Sequence, residues 1–173
     1  MKTKTIITII GESGSGKTFA SLFLKDMFGW NTIVSYTTRK MRHNETNGVD
    51  HWFVKRKNMP DKKNMCAYTL FNNEHYWTTW EQFSSSIPNV YVIDEKGFIE
   101  LIDKKIKFNL NLISIKIKRD CKNNIDLDRI NRDKERINLD DNNFNYIIQN
   151  NSTIENFKLQ LTQVANHILE ILK

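Results

Sequence analysis

The 173-residue chain reads as an α/β protein, three layers deep, with a mostly parallel core sheet. Three observations predict this. A β-branched apolar run over residues 3–10 stops at a glycine-rich octet and passes straight into a helical pattern. Further apolar runs at 89–95, 111–117 and 144–151 alternate with helical stretches, the order that crossover connections and a parallel sheet require. A last stretch, Thr153 to Leu172, repeats apolar residues on one face (Ile154, Phe157, Leu161, Val164, Ile168, Leu172) and reads as a structural closing helix.

Composition bounds the rest. The chain is long enough to bury a sizeable core as one domain over residues 1–173. A hydrophobic fraction of 39% and a charged fraction of 27% are ordinary for a globular domain and argue against disorder. The net charge of +6 suits a polyanionic ligand. Nucleotides satisfy it; nucleic acid does so too, but no motif favours it. Cys66 and Cys121 form no CxxC pair and fit no metal spacing, so a reduced, cytoplasmic setting is expected. No apolar run reaches the roughly 18 residues that span a bilayer, so no membrane partner is expected. The first strand starts too early to leave room for a signal peptide.

The octet is Gly11-Glu12-Ser13-Gly14-Ser15-Gly16-Lys17-Thr18, which fits G-x-x-x-x-G-K-[ST] between a strand and a helix. Gly11, Gly14 and Gly16 let the backbone turn tightly, so that the N–H groups of Ser13 to Thr18 approach phosphate oxygens at a helix N-terminus. Lys17 then places an ammonium between the β- and γ-phosphates of a nucleoside triphosphate, and Thr18 offers a hydroxyl to Mg²⁺. The helix carries Phe19, Leu22, Phe23, Leu24 and Met27, and Gly29 stops it. Asn31 to Ser35 reads as a second short strand. Residues 35–53 read as a polar loop, in which Arg39 and Arg42 are placed to clamp a second phosphate or to form a solvated basic face.

Here the chain resembles a known family. Ser35-x-Thr-Thr-Arg39-x-x-Arg42-x-x-Glu45-x-x-Gly48-x-Asp50-x-x-Phe53 is similar to the signature of the guanylate kinases, with the phosphate-binding loop upstream at that family's separation. The resemblance implies a P-loop kinase fold with a small monophosphate-binding insertion over 35–88 and a short lid at about 118–132. It implies transfer of the γ-phosphoryl of ATP, with Mg²⁺, to GMP, dGMP or another (deoxy)nucleoside monophosphate. Ser35, Arg39 and Arg42 would hold the acceptor phosphate, with Glu45 and Asp50 bracing the loop. The family tyrosine after Asp50 is His51 here, which either donates to phosphate or packs. Asn44 replaces a glycine.

Further along, Val54 to Lys63 reads as a loop or short helix. Residues 67–71 and 75–79 read as a strand pair around Asn72-Asn73, and Trp80 to Ser86 as a short helix. Phe71, Tyr76 and Thr78 match family positions; by the resemblance Tyr76 gives a hydroxyl to the acceptor phosphate and Thr78 one to the base edge. The family glutamate that accepts from guanine falls on Ala67, and a glycine falls on Trp77. Losing that carboxylate puts guanine specificity in question, with Glu74 the nearest substitute, while Trp77 either packs or restricts the base.

Asn89 to Glu95 is the next core strand. Asp94 sits at its carboxyl end, where an acid reaches Mg²⁺ through water, binds the acceptor base, or caps the helix that follows. The family aspartate two residues earlier is Val92 here. Lys96 to Lys107 reads as a helix carrying Phe98, Ile99, Leu101, Ile102 and Ile106. After the strand at 111–117 comes a polar loop, then a helical stretch at about 126–138. By the resemblance this is the lid, with Arg129 and Arg132 as the arginines that close on the transferring phosphoryl group and Arg119 third. A salt-bridged surface helix is the alternative. The last strand resembles the family's Y-D-Y-x-I-x-N-D segment, which puts Asn150 by the donor base; a turn residue closing the strand is the plainer role. Two other functions stay open: a non-catalytic guanylate-kinase-like interaction module, and a P-loop kinase acting on a polynucleotide end or another metabolite.

Overall fold

The computed structural model of the chain describes residues 3–120 and 137–173. In chain order its elements are β1 (Lys4–Ile10), α1 (Lys17–Phe28), β2 (Asn31–Ile33), β3 (Tyr36–Thr37), β4 (Trp52–Phe53), β5 (Met65–Phe71), β6 (Glu74–Thr79), β7 (Asn89–Val92), α2 (Glu95–Lys104), β8 (Leu110–Lys118), β9 (Tyr146–Gln149) and α3 (Ile154–Ile171). Five parallel strands make the core sheet, in the order β2-β7-β1-β8-β9.

The unbroken apolar run of β1 follows from its place at the centre of this sheet, where both faces are covered. Ile7 and Ile9 join Val90, Ile113, Ile115, Ile117 and Ile148 beneath α1 and α3, which contribute Ala20, Leu24, Phe157, Leu161, Ala165 and Ile168. Ile6 and Ile10 turn to the other face, with Tyr91, Ile93 and Leu110 against Phe98 and Leu101 of α2. Each fully buried isoleucine contributes roughly 1.5–3 kcal/mol. The buried Asn89 joins the sheet edge to its surroundings. Its amide donates to the carbonyls of Thr5 and Ser84 at 2.9 Å, and its oxygen accepts from Asn31 Nδ2 at 2.8 Å and from the Ser84 N–H at 2.7 Å.

A second sheet, ordered β4-β3-β6-β5, stands beyond β2 in sequence. Its hairpin turns at Asn72 and Asn73, whose φ values of 47° and 59° are the left-handed region that asparagine tolerates. Side chains alternate across it. Trp52, Tyr36, Trp77 and Tyr68 are register neighbours on one row; Phe53, Thr37, Tyr76 and Thr69 form the next.

The sequence reading needs correction in several places. Residues 35–53 were expected as loop but contain β3 and β4, because the backbone of this stretch finds partners: Trp52 N–H donates to Ser35 O and Val54 N–H to Thr37 O, both at 2.9 Å. The strand expected to reach Ser35 ends at Ile33. The helix expected over Trp80 to Ser86 is a single 3₁₀ turn, Trp80–Gln82. The strand expected to reach Glu95 ends at Val92. The helix expected to reach Lys107 stops at Lys104, and Ile106, expected on that helix, is 94% exposed in the turn beyond it. Most of the expected lid helix lies outside the described residues.

Candidate active site

The loop between β1 and α1 is shaped by close approaches that only glycine permits. A Cβ on Gly11 would stand 2.3 Å from the carbonyl oxygen of Ile117 in β8. Gly16 caps α1 with φ 104°, and a Cβ there would meet Asn150 Nδ2 at 2.7 Å. That same Nδ2 donates to Ser15 O at 2.8 Å. The loop is thus clasped between β8 and the end of β9, and no side chain caps the helix that follows it. Lys17 folds back along it, its ammonium donating to Glu12 O at 2.7 Å. Ser15 Oγ is buried with no hydrogen-bond partner among the described residues, while Thr18 stands exposed in the first turn of α1. Arg119 Nη1 reaches Gly14 O at 3.4 Å. Arg129 and Arg132 lie outside the described residues.

Asn150 does more than close a strand. Besides holding Ser15, it borders a small cavity of about 160 Å³ with Arg119, Asp120, Asn151 and Ser152.

A second cavity, of about 170 Å³, opens between the loop and the second sheet. Its walls include Lys17 and Asp94, Ser35, His51 and Tyr76, and Ala67, Trp77, Tyr91 and Val92. Ser35 Oγ lies 2.8 Å from His51 Nδ1, and the His51 ring is 5.7 Å from that of Tyr76. Burial lowers the His51 pKa, with the nearby Arg39 charge adding to it, so its imidazole is neutral at pH 7.

Arg39 stands near Tyr76, its guanidinium 5.4 Å from the centre of the Phe53 ring. Glu45 grips it in bidentate fashion at 2.8 and 2.9 Å and accepts the Arg42 backbone N–H at 2.8 Å. Burial alone would raise the Glu45 pKa. The hydrogen bonds from Arg39 and the Arg42 backbone overcome it and hold the carboxyl down at about 2. Arg42 is further out, its guanidinium 3.5 Å from Glu45 and its side chain 38% exposed. Asp50 caps the loop through the Thr46 N–H at 2.8 Å.

Two residues, Thr78 and Glu74, sit differently from the sequence expectation. Thr78 is fully buried and donates its hydroxyl to Tyr91 Oη at 3.1 Å, so it meets the cavity only through that phenol. Glu74, the substitute carboxylate, does not line the cavity; it accepts from Thr38 Oγ1 at 2.5 Å. Asp94 is both the helix cap and a cavity residue: its Oδ1 accepts the Gly97 N–H at 2.7 Å. Trp77 is buried and stacks on Tyr36 at 5.6 Å. Tyr91 was missed altogether. The available signal was one hydroxyl-bearing ring in an otherwise apolar strand, three residues before Asp94.

A glycine loop at the carboxyl edge of a five-stranded parallel sheet, facing a second sheet across a cavity, defines a three-layer P-loop kinase fold. A family model described as "Guanylate kinase" matches residues 2–167, and the chain belongs to that family. Among relatives, the guanylate kinase of Chlamydia caviae is 32% identical over 108 residues, covering 57% of this chain and 53% of that protein. That of Wigglesworthia glossinidia brevipalpis is 32% identical over 126 residues, covering 66% and 58%. The chain therefore matches little more than half the length of these two. A guanylate kinase of Mycoplasmopsis synoviae is 26% identical over 175 residues, covering 86% and 88%. The crystal structure of guanylate kinase from Anaplasma phagocytophilum superposes with a TM-score of 0.58 at 18% identity, covering 99% of this chain and 86% of that one, a likeness of fold. Among the described residues no helix is long and apolar enough to cross a membrane, and no cluster of three His, Cys, Asp or Glu could hold a metal.

Proposed function

We propose that the chain is a nucleoside-monophosphate kinase, moving the γ-phosphoryl of ATP to a (deoxy)nucleoside monophosphate, with GMP and dGMP the first acceptors to test. One observation carries the reading. Lys17 of the donor loop and the Ser35–His51–Tyr76 group line the same cavity, so a donor phosphate and an acceptor phosphate placed on their own partners face each other there. The names of the relatives support guanine as the acceptor base.

The acceptor phosphate is already an anion, so the chemistry needs position and charge rather than a strong base. Arg39, braced by Glu45, supplies the cation; Tyr76 and Ser35 supply hydroxyls; neutral His51 orients Ser35. Lys17 neutralises the donor phosphates, and the backbone N–H groups from Ser13 to Thr18 cradle them. Thr18 and Asp94 offer hard oxygen donors, the chemistry Mg²⁺ takes beside phosphate, and would hold that ion. When bound, it neutralises charge on the transferring group. Arg119 is the described arginine at the loop, and Arg129 and Arg132 are proposed to join it from a lid at about 118–132. In this reading residues 1–173 are one kinase domain, with 35–88 as the monophosphate-binding insertion, working in the cytoplasm.

The test is ADP release with ATP and Mg²⁺ across all ribo- and deoxynucleoside monophosphates, beside the Lys17→Ala variant. Turnover that the variant abolishes supports the reading. No turnover with any acceptor, at a level the variant does not change, overturns it.

A further inference from the structure

Beneath the acceptor cavity lies a line of hydrogen-bonding groups that the phosphoryl transfer does not use. Thr78 and Tyr91 are both buried, and the Thr78 hydroxyl donates to Tyr91 Oη at 3.1 Å. Cys66, fully buried on the strand beside Thr78, belongs to the same core. Burial pushes the Cys66 thiol up to about 12, against the opposing pull of Lys104 and Thr78, so the sulfur keeps its proton. A threonine hydroxyl has one proton, and this one is spent on Tyr91. Burial also raises the Tyr91 pKa far above the ordinary phenol range. The Tyr91 oxygen therefore accepts from Thr78, which leaves the phenol its own proton to donate elsewhere.

Tyr91 lines the cavity, and the walls beside it are the apolar side chains of Ala67, Val92 and Ile93. Asp94 is the one carboxylate lining the cavity among the described residues, and its Oδ1 is engaged by the Gly97 N–H. A neutral donor at the floor asks for an acceptor on the base. The 6-oxo group of guanine and the 4-oxo group of thymine or uracil present one; adenine and cytosine present an amino group there instead. Ala67 and Val92 present methyl groups to this space rather than a carboxylate.

We propose that Tyr91 reads the acceptor base by donating to its ring carbonyl oxygen, selecting keto bases over amino bases without singling out guanine. This rests on the acceptor-site reading above. Ala67 is the register partner of Thr78, so it is the wall position from which a carboxylate would meet the extra donors of guanine.

The experiment measures binding of dGMP, dTMP, dAMP and dCMP to the full chain by calorimetry, with ADP release in parallel. The parent is expected to bind dGMP and dTMP within about tenfold of each other, and both at least about tenfold more tightly than dAMP and dCMP, the scale of one unmatched buried hydrogen bond. Tyr91→Phe keeps the ring that packs on Phe83 at 5.8 Å and should shrink the keto-to-amino ratio to about threefold or less. Ala67→Glu should raise dGMP over dTMP by about tenfold. An unchanged keto-to-amino ratio in a folded Tyr91→Phe protein overturns the proposal, as does a parent that prefers dGMP to dTMP by more than about a hundredfold. Binding with the expected ratios but no ADP release leaves the base reading standing and removes the kinase reading; no binding of any of the four removes both.

Discussion

The glycine loop presents mainly backbone, and the cavity beside it is walled by side chains from β5, β6 and β7 and from Ser35 and His51, which precede β3 and β4. At the loop the decisive groups are N–H donors set by glycine, and the constraint is space: a single methyl at Gly11 meets Ile117 O at 2.3 Å. At the cavity the decisive groups are hydroxyls, an imidazole and a guanidinium, each oriented by a neighbour, as Glu45 orients Arg39. Backbone chemistry tolerates almost no substitution. Side-chain chemistry tolerates exchange, and this chain shows it, with His51 where its relatives' signature has tyrosine and Ala67 where it has glutamate. In the proposed reading the donor half keeps its motif octet, while the departures at His51 and Ala67 fall in the acceptor half.

Substitutions on the two sides should separate them. Lys17→Ala is expected to have the largest effect, lowering kcat by about 10²–10³-fold, the scale of losing one charge-stabilising group, with the thermal midpoint little changed. Steady-state kinetics and a melting curve on the same protein check it. Arg39→Ala should raise KM for the acceptor by about tenfold to a hundredfold while leaving KM for ATP near the parent value, because a charge-assisted pair is worth roughly 1.5–3 kcal/mol. A rise in KM for ATP instead would break the division between the halves. Gly11→Ala should cost about 1–3 kcal/mol of stability in urea unfolding, since the obstructing atom is backbone and cannot rotate away.

The smallest effect at neutral pH belongs to Glu45→Gln. With its folded pKa at about 2 against an ordinary 4.5, Glu45 contributes stability that is present above 4.5 and is lost as pH falls through about 2. The glutamine variant has no such titration. The parent's stability should therefore fall towards the variant's over that acid window, and parallel curves there would show that the Arg39–Glu45 pair is not coupled to folding.

Much of the fold was legible because its signals are local. The apolar run of β1, the glycine octet, Gly29 as helix stop and Asn72-Asn73 as hairpin turn each carry their reason within a few residues. The clustering of Ser35 and Arg39 was legible as a motif. What escaped depends on partners distant in sequence. The pairing that makes β3 and β4 strands lies between residues that look like loop. The burial of Thr78 depends on Tyr91 across the boundary between the two sheets. Asp94 could be read as cap or ligand from its position alone; it both caps and lines the cavity, because the helix start and the cavity mouth coincide.

The clasp around the glycine loop also has a bearing on synthesis. Ser15 and Asn150 are 135 positions apart, yet the amide of one residue holds the carbonyl of the other. A nascent chain that has emerged only as far as β7 contains every residue of the loop but neither Ile117 nor Asn150 to brace it. Contacts so distant along the chain form late. The contacts that brace the loop are thus completed only after residue 150 has left the ribosome.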